Sequence, residues 1–376
     1  MARTYNHILL TGATGALGPA LGAELARHGA AERIAVLMRG GPRDINARFQ
    51  RWIGAVRDLL SPEDHGAAAR LYPVAGDICE AGLGMAADGS RADLRSGTDL
   101  VIHAAADTNF SAEPEQQWAV NVGGTQRMLE WAAECPHLGR FLLVSSVFVS
   151  GSRTGRIDEI ATEHPPEFVT YYQRTKWESE RVALASALPV GIARISMVLG
   201  SHATGGVHRT GAVHSLIKWF ARGLVPVVPG SVAARGDVIA TELAARSLAR
   251  AVTAEWREPR PIWHIAASET APRMAELIDF VYEHFAARAA WRRKNIPRPR
   301  MVEQGVFDQL IGSVDAEGHT VVAQALRSVN RFLPDLLYPK TYVTTQAQAL
   351  WGGALPQYDW RETMERVIRF CCPPEK

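Results

Sequence analysis

The sequence predicts an α/β chain: a Rossmann-type doubly wound parallel sheet with a smaller, mostly helical C-terminal substrate region. Three observations predict it. Short apolar strands alternate with longer helical patterns through the first half of the chain, which is how a parallel sheet wound by helices reads. A glycine-spaced turn, Thr11-Gly12-Ala13-Thr14-Gly15-Ala16-Leu17-Gly18, stands between the first strand and the first helix. Beyond Gly200 the alternation weakens, and from about residue 269 helical and irregular patterns take over.

Taken in order, His7–Thr11 is the first strand, and Leu17, Leu21 and Leu25 give the next helix one apolar face before His28-Gly29 stops it. Ile34–Met38 is the second strand. In the long connection that follows, Phe49, Trp52, Ile53, Val56, Leu59 and Leu60 recur at helical spacing until Ser61-Pro62. Strands are expected at Leu71–Ala75, Leu100–His103, Arg140–Ser145 and Val190–Ile195, with helices over Trp118–Cys135 and around Tyr172 and Lys176. Later, Val213–Arg222 reads as a helix, Asp237–Glu242 as the entry to another, and Pro261–Ala266 as a strand. This divides the chain into a dinucleotide-binding domain, residues 1–200 with 236–268 returning to it, and a substrate region of 201–235 and 269–376.

Composition narrows the class. The 376 residues are 47% hydrophobic, which suits a packed α/β protein, and a net charge of +2 gives no global field for nucleic acid or membrane. No apolar run approaches the roughly 18 residues of a membrane helix. Residues 1–6 lead straight into a strand with no room for a signal peptide, and Cys79, Cys135, Cys371 and Cys372 lack metal spacing. A cytoplasmic chain with reduced thiols and no metal is expected.

The glycine turn predicts a phosphate cradle: Gly12 for the tight turn, Gly15 for close backbone approach, Gly18 for helix–strand packing. The helix start then offers free N–H groups and a positive dipole end to a pyrophosphate. At the end of the second strand, Met38-Arg39-Gly40 offers a guanidinium in place of the acid that would hold a ribose 2′-hydroxyl. Arg39, assisted by Arg43 or Arg48, therefore predicts NADPH as cofactor. Asp77 and Ile78 are placed to meet the adenine, and Ala104, Ala105 and Ala106 give small side chains against the cofactor.

Tyr172-Gln-Arg-Thr-Lys176 sets a phenol and an ammonium one helical turn apart, after the fifth strand and before the sixth. The chain holds only five lysines among its 41 Lys and Arg, which sharpens the signal. The ammonium is expected to lower a tyrosine pKa that starts near ~10, and to bind the nicotinamide ribose. Ser146, chosen over Ser145, is expected to donate to the reacting carbonyl. Asn121 is expected either to hold a relay water or to pin the backbone.

Together these residues resemble the extended short-chain dehydrogenase/reductase family. The resemblance rests on Thr11–Gly18, Asp77, His103–Ala106, Asn121, Val144–Gly151, Tyr172–Lys176 and Arg194–Gly200, over roughly the first 200 residues. Counting back from Gly151 along that family's motif places its catalytic hydroxyl at Ser146. Within the family the chain is most similar to the thioester reductase and fatty acyl reductase branch, on the long insertion after the second strand, on Arg39, and on a looser likeness of the tail from Arg331 to Cys372. Ile195 stands where many extended members have proline, and Ala240 and Glu242 replace a common Pro and Asp.

The resemblance implies NADPH-dependent reduction of an acyl thioester, on coenzyme A or an acyl carrier protein, to an aldehyde and sometimes onward to an alcohol. The alternative is an NADP-dependent ketone or alcohol dehydrogenase acting on a sterol-like or other hydrophobic molecule, since the same catalytic set serves both. Arg39 disfavours a sugar epimerase, and the retained Tyr/Lys pair disfavours a nucleotide sensor. His202, His208 and His214 read as a loop, not a metal site. Arg288, Arg292, Arg293, Lys294, Arg298 and Arg300 are either a solvated face or a docking patch for an acidic carrier.

Overall fold

The computed structural model describes residues 3–374 apart from Glu163, His319 and Leu333, and describes only the backbone of Pro42, Arg43, Thr320, Arg331, Phe332, Pro334 and Asp335. Seven strands form one sheet: β1 (Tyr5–Thr11), β2 (Ala31–Met38), β3 (Leu71–Ala75), β4 (Leu100–His103), β5 (Arg140–Ser146), β6 (Val190–Ile195) and β7 (Ile262–Ile265). Their spatial order is β7-β6-β5-β4-β1-β2-β3, and every pairing is parallel. Side chains alternate between two cores, as a strand's period of two requires. Ile8, Leu10, Ile34, Val36, Leu100 and Ile102 face one core, and Leu9, Ala35, Leu37, Val101, Phe141 and Leu143 the other.

The helices α1 (Gly18–Arg27), α2 (Pro42–Arg57) and α6 (Thr241–Thr253) cover the first face, while α3 (Gly124–Ala133) and α4 (Tyr171–Ala185) cover the second. The insertion after β2 is α2 followed by a 3-10 segment, Pro62–Arg70, with Trp52, Ile53 and Val56 buried.

A separate apolar core joins residues from Leu199 to Ile368. It is built by α5 (Ala212–Ala221), α7 (Met274–Ala286), α8 (Gln304–Ala316), α9 (Thr320–Phe332) and α10 (Trp360–Cys371). Three short parallel pairs join distant segments: Met197–Gly200 with Val238–Ala240, Val227–Pro229 with Arg300–Val302, and Gly155–Ile157 with Lys340–Tyr342. Within Asp237–Glu242, Val238–Ala240 is a short strand, and α6 begins directly after it at Thr241. The tail also returns to the sheet, because Ala347 and Leu355 belong to the first-face core. Of the tail stretch beginning at Arg331, Leu333 lies outside the described residues.

One buried polar network ties α4 to β6, β7 and the tail. Arg194 donates from Nε to Glu180 Oε1 at 3.0 Å and from Nη2 to Oε2 at 2.8 Å, with both side chains almost fully buried. Its Nη1 lies 3.2 Å from His264 Nε2. Arginine has no acceptor, so Nε2 must accept and Nδ1 must carry the proton, which it donates to the Val343 carbonyl at 2.9 Å. Burial, with the Arg194 charge beside it, pushes His264 down to about 3 and keeps it neutral. Glu159 accepts from the backbone N–H groups of His264 (2.8 Å), Gln346 (2.6 Å) and Ala347 (3.1 Å).

Removing one partner leaves the other charge buried and bare. Arg194→Met is expected to cost ~3–5 kcal/mol in urea unfolding, and adding Glu180→Leu should restore most of it. A loss below ~1 kcal/mol for Arg194→Met would show that the pair does not hold these elements together.

Candidate active site

β1 and β4 are neighbours, but the chain leaves them for opposite faces, β1 into α1 and β4 toward α3. The backbone parts at the C-terminal ends of these strands and opens a crevice there. Gly12 lies in the left-handed region at φ 77°, and a Cβ on it would sit 2.4 Å from the Ala104 carbonyl carbon. A Cβ on Gly18 would sit 1.6 Å from the Ala13 carbonyl oxygen, so α1 can start only with glycine there. Gly15 N–H donates to Gly12 O at 2.9 Å, and Gly18 N–H to Gly15 O at 3.2 Å, winding the turn into the helix. Thr11 Oγ1 accepts from Ala105 N at 3.2 Å and pairs with His103 Nδ1 at 2.8 Å, locking β1 to the turn after β4. Burial, then the Lys176 charge, drives His103 down to about 3.

A groove of about 490 Å³ runs along this crevice. Gly12, Thr14, Gly15 and Ala104–Ala106 line its centre, and Arg39, Arg48, Asp77 and Ile78 line it further along. Arg48 Nη1 donates to the Arg39 carbonyl at 2.8 Å, and both arginines are exposed. The Arg43 side chain lies outside the described residues. Asp77 Oδ1 accepts from Cys79 N at 2.9 Å. The donor set suits a dinucleotide: backbone-only approach at the centre, two cations at one end, and a carboxylate beside them.

The groove runs into a chamber of about 270 Å³, lined by Ala16, Leu17, Gly18, Ser145, Ser146, Tyr172 and Lys176. A capping box fixes the start of α4: Thr170 Oγ1 accepts from Gln173 N, and Gln173 Oε1 accepts from Thr170 N, both at 3.3 Å. Tyr172 and Lys176 then fall on successive turns and are 8% and 3% exposed. Ser146 ends β5, its Oγ accepting from Phe148 N at 3.3 Å and hydrogen-bonded to the Tyr172 phenol.

The electrostatics differ from the expectation. Burial pushes the Tyr172 phenol up to about 12, and among the described residues the only opposing pull is the Ser146 hydrogen bond. Lys176 spends its ammonium on the Val144 carbonyl at 3.0 Å, and burial brings it down to about 8 against the Glu180 charge. Asn121 sits in a π-helical turn, Ala119–Gly123, with its side chain committed to pinning. Its Oδ1 accepts from Asp107 N at 2.7 Å, and its Nδ2 donates to Asp107 O at 3.1 Å and Thr175 Oγ1 at 3.0 Å. The freed Asn121 carbonyl accepts from Thr125 and Ser179 hydroxyls at 2.6 and 2.7 Å.

The sequence reading missed the strap at residues 207–212. Arg209, Thr210, Gly211 and Ala212 line both the groove and the chamber. Its root is fixed where Glu242 accepts from Ser201 Oγ (2.7 Å) and His202 N (2.9 Å), and where His202 Nδ1 lies 2.8 Å from Thr363 Oγ1. A guanidinium in a glycine-rich loop, with no periodicity around it, carries no local signal. His202 is thus a structural anchor, and among the described residues no three His, Cys, Asp or Glu side chains come together as a metal set. No helix among the described residues is long and apolar enough to cross a membrane.

Residues 10–248 match the family described as male sterility protein, an NAD-binding group. Fatty acyl-CoA reductase 2, chloroplastic, of Arabidopsis thaliana is 31% identical over 162 residues, 40% of this chain and 26% of that protein. Isonitrile lipopeptide synthase of Streptomyces coeruleorubidus is 29% identical over 221 residues, 58% of this chain and 15% of that protein. The chain therefore spans about a quarter or less of the length of these relatives. The terminal R domain of the myxalamid PKS-NRPS pathway shares the fold with a TM-score of 0.77 at 23% identity, over 98% of this chain and 91% of that one. The R domain of a nonribosomal peptide synthetase from Mycobacterium tuberculosis gives 0.69 at 21%, over 98% and 93%.

Two substitutions separate the cations of the groove. Arg39→Asp is expected to raise the NADPH dissociation constant by ~10–100-fold while leaving NADH little changed, as loss of a bond to a charged phosphate predicts. Arg209→Ala should weaken both dinucleotides alike. Fluorescence titration reads both, and an unchanged NADPH affinity in Arg39→Asp would place that side chain in solvent.

Proposed function

Because the chain belongs to the NAD-binding family described as male sterility protein, we propose that it is an NADPH-dependent reductase of acyl thioesters. One observation carries the reading: Ser146 and Tyr172 face a chamber that opens on one side into a dinucleotide groove and on the other into an apolar cavity. The names of the relatives, a fatty acyl-CoA reductase and a lipopeptide synthase, support an acyl thioester as substrate. Arg39 and Arg48 at the groove's end support NADPH over NADH.

Bound in the groove, the dinucleotide supplies a hydride to the carbonyl carbon. Ser146 and Tyr172 donate hydrogen bonds to the carbonyl oxygen as negative charge develops on it. Burial keeps Tyr172 protonated at all ordinary pH, so it enters the reaction as the acid and gives its proton to that oxygen. The carbon–sulfur bond of the hemithioacetal then breaks, the oxygen returns its proton to the Tyr172 phenolate, the departing thiolate takes a proton from water, and thiol and aldehyde leave. A second hydride would carry the aldehyde to an alcohol.

The basic cluster is only partly available for a carrier. Arg288 donates to the Cys372 carbonyl at 2.9 Å, and Arg298 is paired with Asp279 at 3.4 Å and Glu283 at 2.9 Å. Arg292, Arg293, Lys294 and Arg300 remain exposed and support docking of an anionic carrier or coenzyme A. Arg292→Glu with Arg293→Glu should raise KM for carrier-bound substrate and spare an N-acetylcysteamine thioester. Equal loss on both substrates would make the cluster structural.

Following NADPH oxidation with thioester, aldehyde and ketone substrates, with products identified by mass, tests the reaction class. Turnover of ketones alone would favour the hydrophobic alcohol dehydrogenase reading. Tyr172→Phe should cut turnover by at least ~10²-fold without weakening NADPH binding. In the wild type, kcat/KM for NADPH should fall as pH rises through about 8, because Lys176 is charged below that value and neutral above it. A profile that stays flat past that value, or near-normal turnover in Tyr172→Phe, removes these residues from the mechanism.

A further inference from the structure

Beyond the catalytic chamber lies a second cavity of about 160 Å³. Phe110, Phe148, Met197, Ala212 and Val213 line both, so the two are continuous. The part away from the catalytic residues is walled by Ile217, Phe220, Val225, Val228, Val281 and Leu336, each at most 9% exposed. That wall belongs to the C-terminal core.

Three of the charged side chains that line this cavity are engaged by backbone groups. Arg235 Nη1 donates to the Ala271 carbonyl at 2.6 Å, and Lys340 Nζ to the Gly151 carbonyl at 2.5 Å. The Asp237 carboxylate accepts from Ala267 N at 2.9 Å and Ser268 N at 2.8 Å. A hydroxyl, carboxylate or peptide group entering here would lose water and find poor replacement. Alkyl carbon loses nothing and gains burial.

We propose that this cavity selects a medium-length alkyl acyl chain without polar substituents, about eight carbons from carbonyl to terminus. The length follows from the volume. A cavity of about 150 Å³ holds one benzene, so this one takes roughly six carbons, and the carbonyl carbon with its neighbour occupies the catalytic chamber. The proposal rests on the thioester reading and narrows it, since it excludes both a peptidyl chain and a long fatty chain.

The test is a series of N-acetylcysteamine thioesters from acetyl to tetradecanoyl, with a dipeptidyl thioester and an ω-carboxyoctanoyl thioester alongside. The ratio kcat/KM should rise about fourfold per methylene up to octanoyl and fall at least ~10-fold by tetradecanoyl. The dipeptidyl and ω-carboxy substrates should run at least ~10²-fold below octanoyl. Val228→Trp, which fills the far wall, should lower the octanoyl-to-butanoyl ratio at least ~10-fold. Should that variant fail to fold, the wild-type series decides alone. Reduction of thioesters with a flat profile, or an optimum at dodecanoyl or longer, overturns the proposal and leaves the thioester reading standing. If no thioester is reduced, that reading fails instead. The cavity is then judged by displacement of 1-anilinonaphthalene-8-sulfonate with straight-chain alcohols: best displacement by octanol supports it, and no preference by length overturns it.

Discussion

Everything in this molecule hangs on the divergence of β1 and β4. Two parallel strands lie side by side, yet the helices that follow them cover opposite faces of the sheet. No side chain can fill the gap this leaves, because Gly12 already touches the Ala104 backbone and Gly18 the Ala13 carbonyl. The crevice is therefore a by-product of winding direction, and the glycines keep it open. Ser146, Tyr172 and Lys176 stand at the end of that same crevice because β5 lies beside β4 and α4 packs across it.

Burial, more than pairwise charge, sets the protonation of the chamber. It raises Tyr172, lowers Lys176 and His103, and in each case favours the uncharged form. Glu180 opposes this for Lys176 but is itself held by Arg194. A dry site of this kind strengthens any charge that enters it, so an anionic ligand in the groove favours the ammonium and, through it, a more acidic phenol.

The sheet was legible because its signals are local. Leu71–Ala75, Leu100–His103 and Val190–Ile195 fall where the apolar runs place them, and the glycine turn lies where its spacing demands. Spacing located Tyr172 and Lys176 but not their protonation, which depends on burial by Phe110 and other distant residues. Three-residue strands such as Gly155–Ile157 and Val227–Pro229 have no period to read, and their partners lie far along the chain. The strap carrying Arg209 was invisible for the same reason: Gly205 is wedged against the Arg366 backbone, a contact no window of sequence contains. Asn121 was recognisable as a motif residue, but its pinning role needed Asp107 and Thr175 in place.

The network around Glu159 has a consequence for synthesis. Of the three backbone amides that satisfy its carboxylate, two come from Gln346 and Ala347, while the third is that of His264. A nascent chain that has emerged only through β7 holds this carboxylate without its later donors. Those donors come into place with the pairing of Lys340–Tyr342 and Gly155–Ile157. Glu159 and Gln346, 187 residues apart in sequence, thus complete each other's hydrogen bonding.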